Sequence, residues 1–258
     1  MAASRSLLAW MRAAFNAAGG VFWHLEAWRF SRRRWRAYRR RIRGWLEGWR
    51  PSERRLLLVG PSAGWVLDRR LFDRFDVVVA LDPDPLSPWL FRRRFRQAQV
   101  AFSADDYFGP REDALRIDRL DALFDAYPDH AVLFCNVLSQ LPGLFPEATG
   151  ATSDPPTDTP RFRDWKRRLR QRLSERSWAS FHDRLSSDRA PAQEVLALPA
   201  ELDSLALAER CYHVEEGEAI AVFDHQLTDI APDLPRHLVD WPRRPGLHHV
   251  VELLAVAR

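Results

Sequence analysis

Residues 54–70, RRLLLVGPSAGWVLDRR, decide the fold. Leu56 to Val59 run unbroken into Gly60, and the turn Gly60-Pro61-Ser62-Ala63-Gly64 opens onto a short amphipathic stretch, VLDRRLFDRF (66–75). A short continuous apolar run closed by a glycine turn is the pattern of a strand buried on both faces. The pattern then repeats. DVVVALDPDP (76–85), AQVAFSADDYF (98–108) and DHAVLFCNVLSQLP (129–142) read as further strands. The helical stretches LSPWLFRRRFRQ (86–97) and ALRIDRLDALFDAYP (114–128) lie between them. Strands alternating with helices predict a parallel sheet covered on both faces.

The chain has 258 residues, enough for one α/β domain, with 46% hydrophobic and 29% charged residues. That composition excludes fibrous and wholly disordered classes. Its two cysteines, Cys135 and Cys211, form no CxxC and no disulfide framework, which fits a reducing cytosol. No window holds 18 uninterrupted apolar residues, so no transmembrane helix is expected. There is no internal repeat.

Residues 1–50 carry twelve Arg and two Glu, about +10, while the rest is about −6, giving a net charge of +4. Only Lys166 of the 39 basic residues is lysine, a skew expected of a GC-rich genome. Between 21 and 50, Leu25, Trp28, Trp35, Tyr38, Ile42, Trp45 and Trp49 recur at helical spacing, with arginines on the other faces and Pro51 as the stop. Residues 1–53 therefore read as a basic aromatic helical arm. It packs on the main domain, or docks on an anionic membrane or a protein partner, with nucleic acid the weaker option.

After the fourth strand, PGLFPEATGATSDPPTDTP (142–160) reads as a loop, and RFRDWKRRLRQRLSERSWASFHDRL (161–185) as a basic helix. Together they predict an insertion or lid at about 142–185. GEAIAVFDHQLTD (217–229) reads as a late strand, and 236–258 as an antiparallel edge hairpin around Pro245-Gly246.

The opening turn is neither a Walker A loop nor a GxGxxG fingerprint. It has no lysine, no hydroxyl at the required place, and GxxxG spacing. Its place is more informative. Ligands of open α/β sheets bind at the carboxyl ends of the strands, near the switch point. Asp82 and Asp84 end the second strand, Asp105 and Asp106 the third, and Asn136 and Gln140 the fourth. With Gly60, Ser62 and Gly64 they outline a nucleoside-sized crevice. Each also has a plainer reading. The glycines permit close helix–strand packing, Asp82 and Asp84 cap a helix near Ser87, the Asp105-Asp106 pair makes a turn, and Asn136 caps.

LLLVGPSAGW, VVALDPDP, SADDY and LFCNVLSQL occur in an order that resembles the class I S-adenosylmethionine-dependent methyltransferases, over roughly residues 54–140 and more faintly over 217–258. The resemblance implies a Rossmann-like, mostly parallel seven-stranded sheet with an antiparallel C-terminal hairpin. It implies S-adenosylmethionine as cofactor. Gly60, Ser62 and Gly64 would line its methionine part, Asp82 would hold the ribose, and Asp105 or Asp106 the adenine. The first motif departs from the family: it lacks the acidic residue and a third glycine, and Pro61 removes an amide.

Methyl transfer needs an oriented nucleophile and sometimes a base. SFHDRLSS supplies His182 and Asp183, and VFDHQLTD supplies Asp224 and His225, with Asp229 nearby. Adjacent strand residues point to opposite faces, so Asp224 does not orient His225. The same rule separates His248 from His249, and no metal site is expected. Ser62 in GPSAG matches the spacing of a hydrolase nucleophile elbow, but after the wrong strand. The sequence thus predicts a cytoplasmic methyltransferase with an unknown acceptor. A non-catalytic scaffold docking through its basic arm is the alternative, and a Ser62 hydrolase a third.

Overall fold

In the computed structural model of the protein, the described residues are 20–103, 105, 107, 116–140, 160–198, 202–212, 221–225, 227 and 230–258. The chain is mixed α/β. Its helices are α1 (Gly20–Phe30), α2 (Arg36–Gly48), α3 (Arg69–Phe72), α4 (Ser87–Arg94), α5 (Ile117–Ala126), α6 (Pro160–Leu173) and α7 (Ser204–Cys211). Its strands are β1 (Arg55–Val59), β2 (Val77–Leu81), β3 (Val100–Ser103), β4 (His130–Cys135), β5 (Trp178–Ser187), β6 (Val195–Leu198), β7 (Val222–Asp224), β8 (Arg236–Arg244) and β9 (Leu247–Val256).

Among the described residues, nine strands join one sheet in the order β3-β2-β1-β4-β5-β9-β8-β6, with β7 pairing β5. The first five are parallel, and β9, β8, β7 and β6 are antiparallel additions. This is the mostly parallel sheet with an antiparallel C-terminal hairpin that the sequence predicts, though with nine strands rather than seven. The hairpin is not at the edge. β9 lies between β5 and β8, and β6 takes the outer place.

The apolar strands bury both faces. Leu56, Leu58, Leu133, Phe181 and Val251 face α1, α2 and α4, while Leu57, Val59, Phe134, Trp178 and Leu254 face α5 and α6. The N-terminal segment is part of this core. Trp35, Tyr38, Ile42, Leu46 and Trp49 are buried against the sheet, each large side chain contributing about 1.5 to 3 kcal/mol.

The arm is not one continuous helix. A turn at 31–35 breaks it, where Trp35 N donates to Phe30 O at 3.1 Å. The predicted stripe does not carry through the break. Gly20, His24 and Ala27 face inward on α1, while Leu25 and Trp28 face solvent.

The predicted lid also resolves differently. The basic helix stops at Leu173, and Trp178–Ser187 is β5, at the centre of the sheet between β4 and β9. Its residues Trp178, Ala179 and Phe181 are buried, which a surface lid would not allow. Helix α6 packs on α5 through Arg168–Asp121 pairing and shared apolar residues. The predicted loop falls almost wholly outside the described residues.

Candidate functional site

The opening turn is a corner built around Asp82. Gly60 N donates to Leu81 O at 2.9 Å, Ser62 N to Asp82 Oδ2 at 2.6 Å, and Gly64 N to Pro61 O at 2.9 Å. The amides of the three predicted cofactor residues in this turn are therefore all used within the chain, two of them by Leu81 and Asp82 at the end of β2. Gly60, Ser62 and Gly64 have φ values of 66°, 52° and 63°. A Cβ on Gly64 would lie 2.6 Å from Phe95 Cε2, and one on Gly60 would lie 3.1 Å from Val137 Cβ. Gly64 thus lets α4 approach, the plainer of its two readings, and Gly60 lets β1 pack beside the end of β4.

Asp82 accepts from Ser62 N and, at 2.9 Å, from Asp84 N. Burial pushes its pKa up to about 6, against the lowering effect of those two bonds. Asp84 holds α1 in place. Its Oδ2 accepts from Gly20 N and from His24 Nε2, both at 2.9 Å, and its Oδ1 accepts from Leu86 N beside the start of α4. Burial raises the Asp84 pKa, but the His24 and backbone bonds outweigh it and the net shift is down. Trp65 Nε1 donates to His24 Nδ1 at 3.0 Å, which leaves the His24 proton on Nε2. Trp23 Nε1 donates to Ser62 Oγ at 2.9 Å. Helix α1 therefore sits on the predicted crevice. Both His24 nitrogens are engaged, and no imidazole bonds to Ser62 among the described residues, so the hydrolase reading falls.

Asp105 accepts from Ser103 Oγ at 2.6 Å and is exposed, a local turn at the end of β3. Asp106 lies outside the described residues, as does Asp229. Gln140 is exposed and donates to Asn136 O at 3.1 Å.

Asn136 has φ 58° and joins two strands. Its Nδ2 donates to Asp183 Oδ2 at 3.1 Å, and its Oδ1 accepts from Asp183 N at 2.9 Å. Of the four predicted catalytic residues, the structure brings Asp183 and His225 together and separates the other two. His182 is completely buried on the opposite face of β5 from Asp183, where Nε2 meets Glu252 Oε2 at 3.1 Å and Nδ1 meets Ser180 Oγ at 2.9 Å. With both nitrogens used, it belongs to a structural network with Glu252 and Arg236. Asp224 pairs with Arg184, pointing away from His225 as strand alternation requires.

The sequence reading missed His249 and Ser186. The β5–β9 register runs Asp183↔Val251 and then Leu185↔Val250, so Arg184 is an extra residue. This bulge turns Asp183 and Ser186 to the same face, as bulges near functional sites do. His249 pairs with Ser186 and lies on that face. Ser186 Oγ is 2.8 Å from His225 Nε2 and 2.7 Å from His249 Nδ1. His225 Nδ1 donates to Ser139 O at 3.1 Å. Asp183 Oδ2 lies 3.7 Å from His249 Nδ1. Burial lowers the pKa of both imidazoles, against the raising effect of the Asp183 charge. An aromatic series, Trp23–Trp35–Trp241–His249, links this cluster to α1. The signal in sequence was the HH pair of β9. Only the bulge and the position of β7 show which partner His249 meets.

No protein-family model matches the chain, and no curated protein matches it. Among solved structures, DhpI bound to SAH is 16% identical, covering 85% of this chain and 82% of that one, with a TM-score of 0.33. DhpI with SAM and HEP is 15% identical, covering 90% and 94%, with a TM-score of 0.37. The magnesium protoporphyrin IX methyltransferase of Synechocystis with bound SAH is 13% identical, covering 97% and 94%, with a TM-score of 0.39. At these scores the fold assignment rests on the strand order, not on the superpositions.

Proposed function

We propose that the chain transfers a methyl group from S-adenosylmethionine to an acceptor seated beside Asp183, His225 and His249. The observation that supports this reading is the strand order. A parallel β3-β2-β1-β4-β5 sheet is extended by the antiparallel β9, and its order reverses between β1 and β4. The Gly60 turn and Asn136 flank that reversal, where open α/β sheets bind ligands. Asp82, ionised above about pH 6, is the carboxylate for the ribose hydroxyls. It would exchange its bond to Ser62 N on binding. The neutral imidazole of His225, with Asp183, forms the acceptor side and is suited to orient a nucleophile.

Helix α1 covers the same edge, so cofactor entry requires it to shift. Calorimetric titration of the full chain with S-adenosylmethionine and S-adenosylhomocysteine tests the reading, with tryptophan emission recorded in parallel. Micromolar binding is expected, with a change in emission from Trp23 and Trp65. His24→Ala loosens α1 and should bind more tightly. No binding by either folded protein overturns the reading.

That outcome would leave a docking scaffold, which one observation favours: the turn amides and Asp84 are already satisfied within the chain. Such a scaffold would dock through the solvent-facing Phe22, Leu25 and Trp28 of α1, flanked by Arg29 and Arg32, on an anionic membrane or protein surface. Among the described residues, no helix is long and apolar enough to cross a membrane.

A further inference from the structure

Asp183, His225 and His249 arrive from β5, the end of β7 and β9. Each offers one ligand atom, and these atoms lie within 4.8 Å of one another. We infer that this cluster is a binding site for one divalent transition-metal ion of the zinc class, held by the Asp183 carboxylate, His225 Nε2 and His249 Nδ1.

The donor set comes first. Two imidazoles and one carboxylate suit zinc and its first-row neighbours, whereas calcium and magnesium prefer all-oxygen shells. His225 is also prepared as a ligand. A carbonyl only accepts, so the bond to Ser139 O places the proton on Nδ1 and turns the Nε2 lone pair inward. Metal-binding histidines are commonly fixed in this way by a carbonyl on the other nitrogen.

The carboxylate is prepared likewise. Asn136 holds Oδ2 and the Asp183 backbone, while Oδ1 is buried with no hydrogen-bond partner among the described residues. A buried carboxylate oxygen without a partner is costly, and a cation would satisfy it.

His249 supplies the third ligand. Its Nδ1 and His225 Nε2 are both within hydrogen-bond distance of Ser186 Oγ, so the two nitrogens aim at a common point. A hydroxyl has one proton. It donates to His225 Nε2 and accepts from His249 Nδ1. On metal entry the His249 proton moves to Nε2, which is buried and unpartnered among the described residues. The Ser186 hydroxyl rotates aside. Metal–ligand bonds of about 2.0 to 2.2 Å require the three donors to close by roughly 1 Å, within the reach of rotamer adjustment.

The inference does not depend on methyl transfer and is tested with no cofactor present. The full chain is treated with a chelator, desalted and titrated with Co²⁺ alone. One Co²⁺ per chain should bind with visible d–d absorption, without a thiolate charge-transfer band from Cys135 or Cys211, and Zn²⁺ should displace it. His249→Ala and His225→Ala should weaken binding at least tenfold, while His237→Ala, an exposed residue, should not. The wild-type spectrum stands without the variants should they fail to fold. Absence of stoichiometric Co²⁺ binding by the folded wild type overturns the inference. So does binding that persists in both folded histidine variants, or a thiolate band.

Discussion

Asn136 and Asp183 exchange two hydrogen bonds, tying the left-handed residue that ends β4 to the bulged segment of β5. The pair joins the Gly60 side of the sheet edge to the histidine cluster. Asn136→Ala removes both bonds, each worth about 1 kcal/mol, leaves Ser139 Oγ only the Asn136 carbonyl of its two acceptors, and puts a Cβ residue less suited to φ 58° there at about 1 kcal/mol more. A total loss near 3 kcal/mol is expected in urea denaturation. Asn136→Gly should lose about 1 kcal/mol less, because glycine accepts the backbone angle.

The two glycines of the opening turn should differ. Gly64→Ala drives a methyl group to 2.6 Å from Phe95 and adopts φ 63°, so a loss of about 2 to 4 kcal/mol is expected. Gly60→Ala adopts a similar φ of 66°, but its nearest approach is Val137 Cβ at 3.1 Å, so it should cost about half as much. Equal losses in parallel denaturation curves would mean that α4 is not held as described.

Asp82 gives the stability curve a specific slope. Its folded pKa, about 6, lies above its ordinary 3.8. Its contribution is therefore fully present below pH 4 and lost as pH rises through 6. The shift corresponds to about 3 kcal/mol. Asp82→Asn does not titrate. The stability of the variant minus that of the wild type should rise by about 3 kcal/mol between pH 4 and pH 8, whatever its constant offset. A flat difference would show that the carboxylate is solvated.

Glu252 acts in the opposite sense. Burial opposes its ionisation, but His182 and Arg236 hold its pKa down at about 2, below the ordinary 4.5. Its contribution is present above pH 4.5 and lost as pH falls through 2, again about 3 kcal/mol. Glu252→Gln should remove that acid-limb loss. At pH 7 it should destabilise by about 3 to 5 kcal/mol, because the Arg236 charge is left buried opposite a neutral group.

The sheet was legible because its signal is local. Apolar runs such as Leu56–Val59 and His130–Cys135, closed by polar turns, fix strand identity, and the alternation with helices fixes parallel pairing. Trp178–Ser187 was misread because Arg172, Arg176 and Arg184 continue a helical charge pattern. The contacts that make it a strand come from β4 and β9, distant in sequence.

The candidate site was half legible. Asp183, His225 and Asn136 could be singled out by type and place. His182 could not be set apart from Asp183 until strand alternation put it against Glu252. The sequence determined which residues end the strands, since periodicity and turn chemistry are written in neighbours along the chain. Only the tertiary structure decided which of those ends meet. It placed α1 on Asp84 through His24, and a single extra residue, Arg184, turned Asp183 and Ser186 toward His249. Such contacts depend on register, and a one-residue slip in a strand reverses every face it presents.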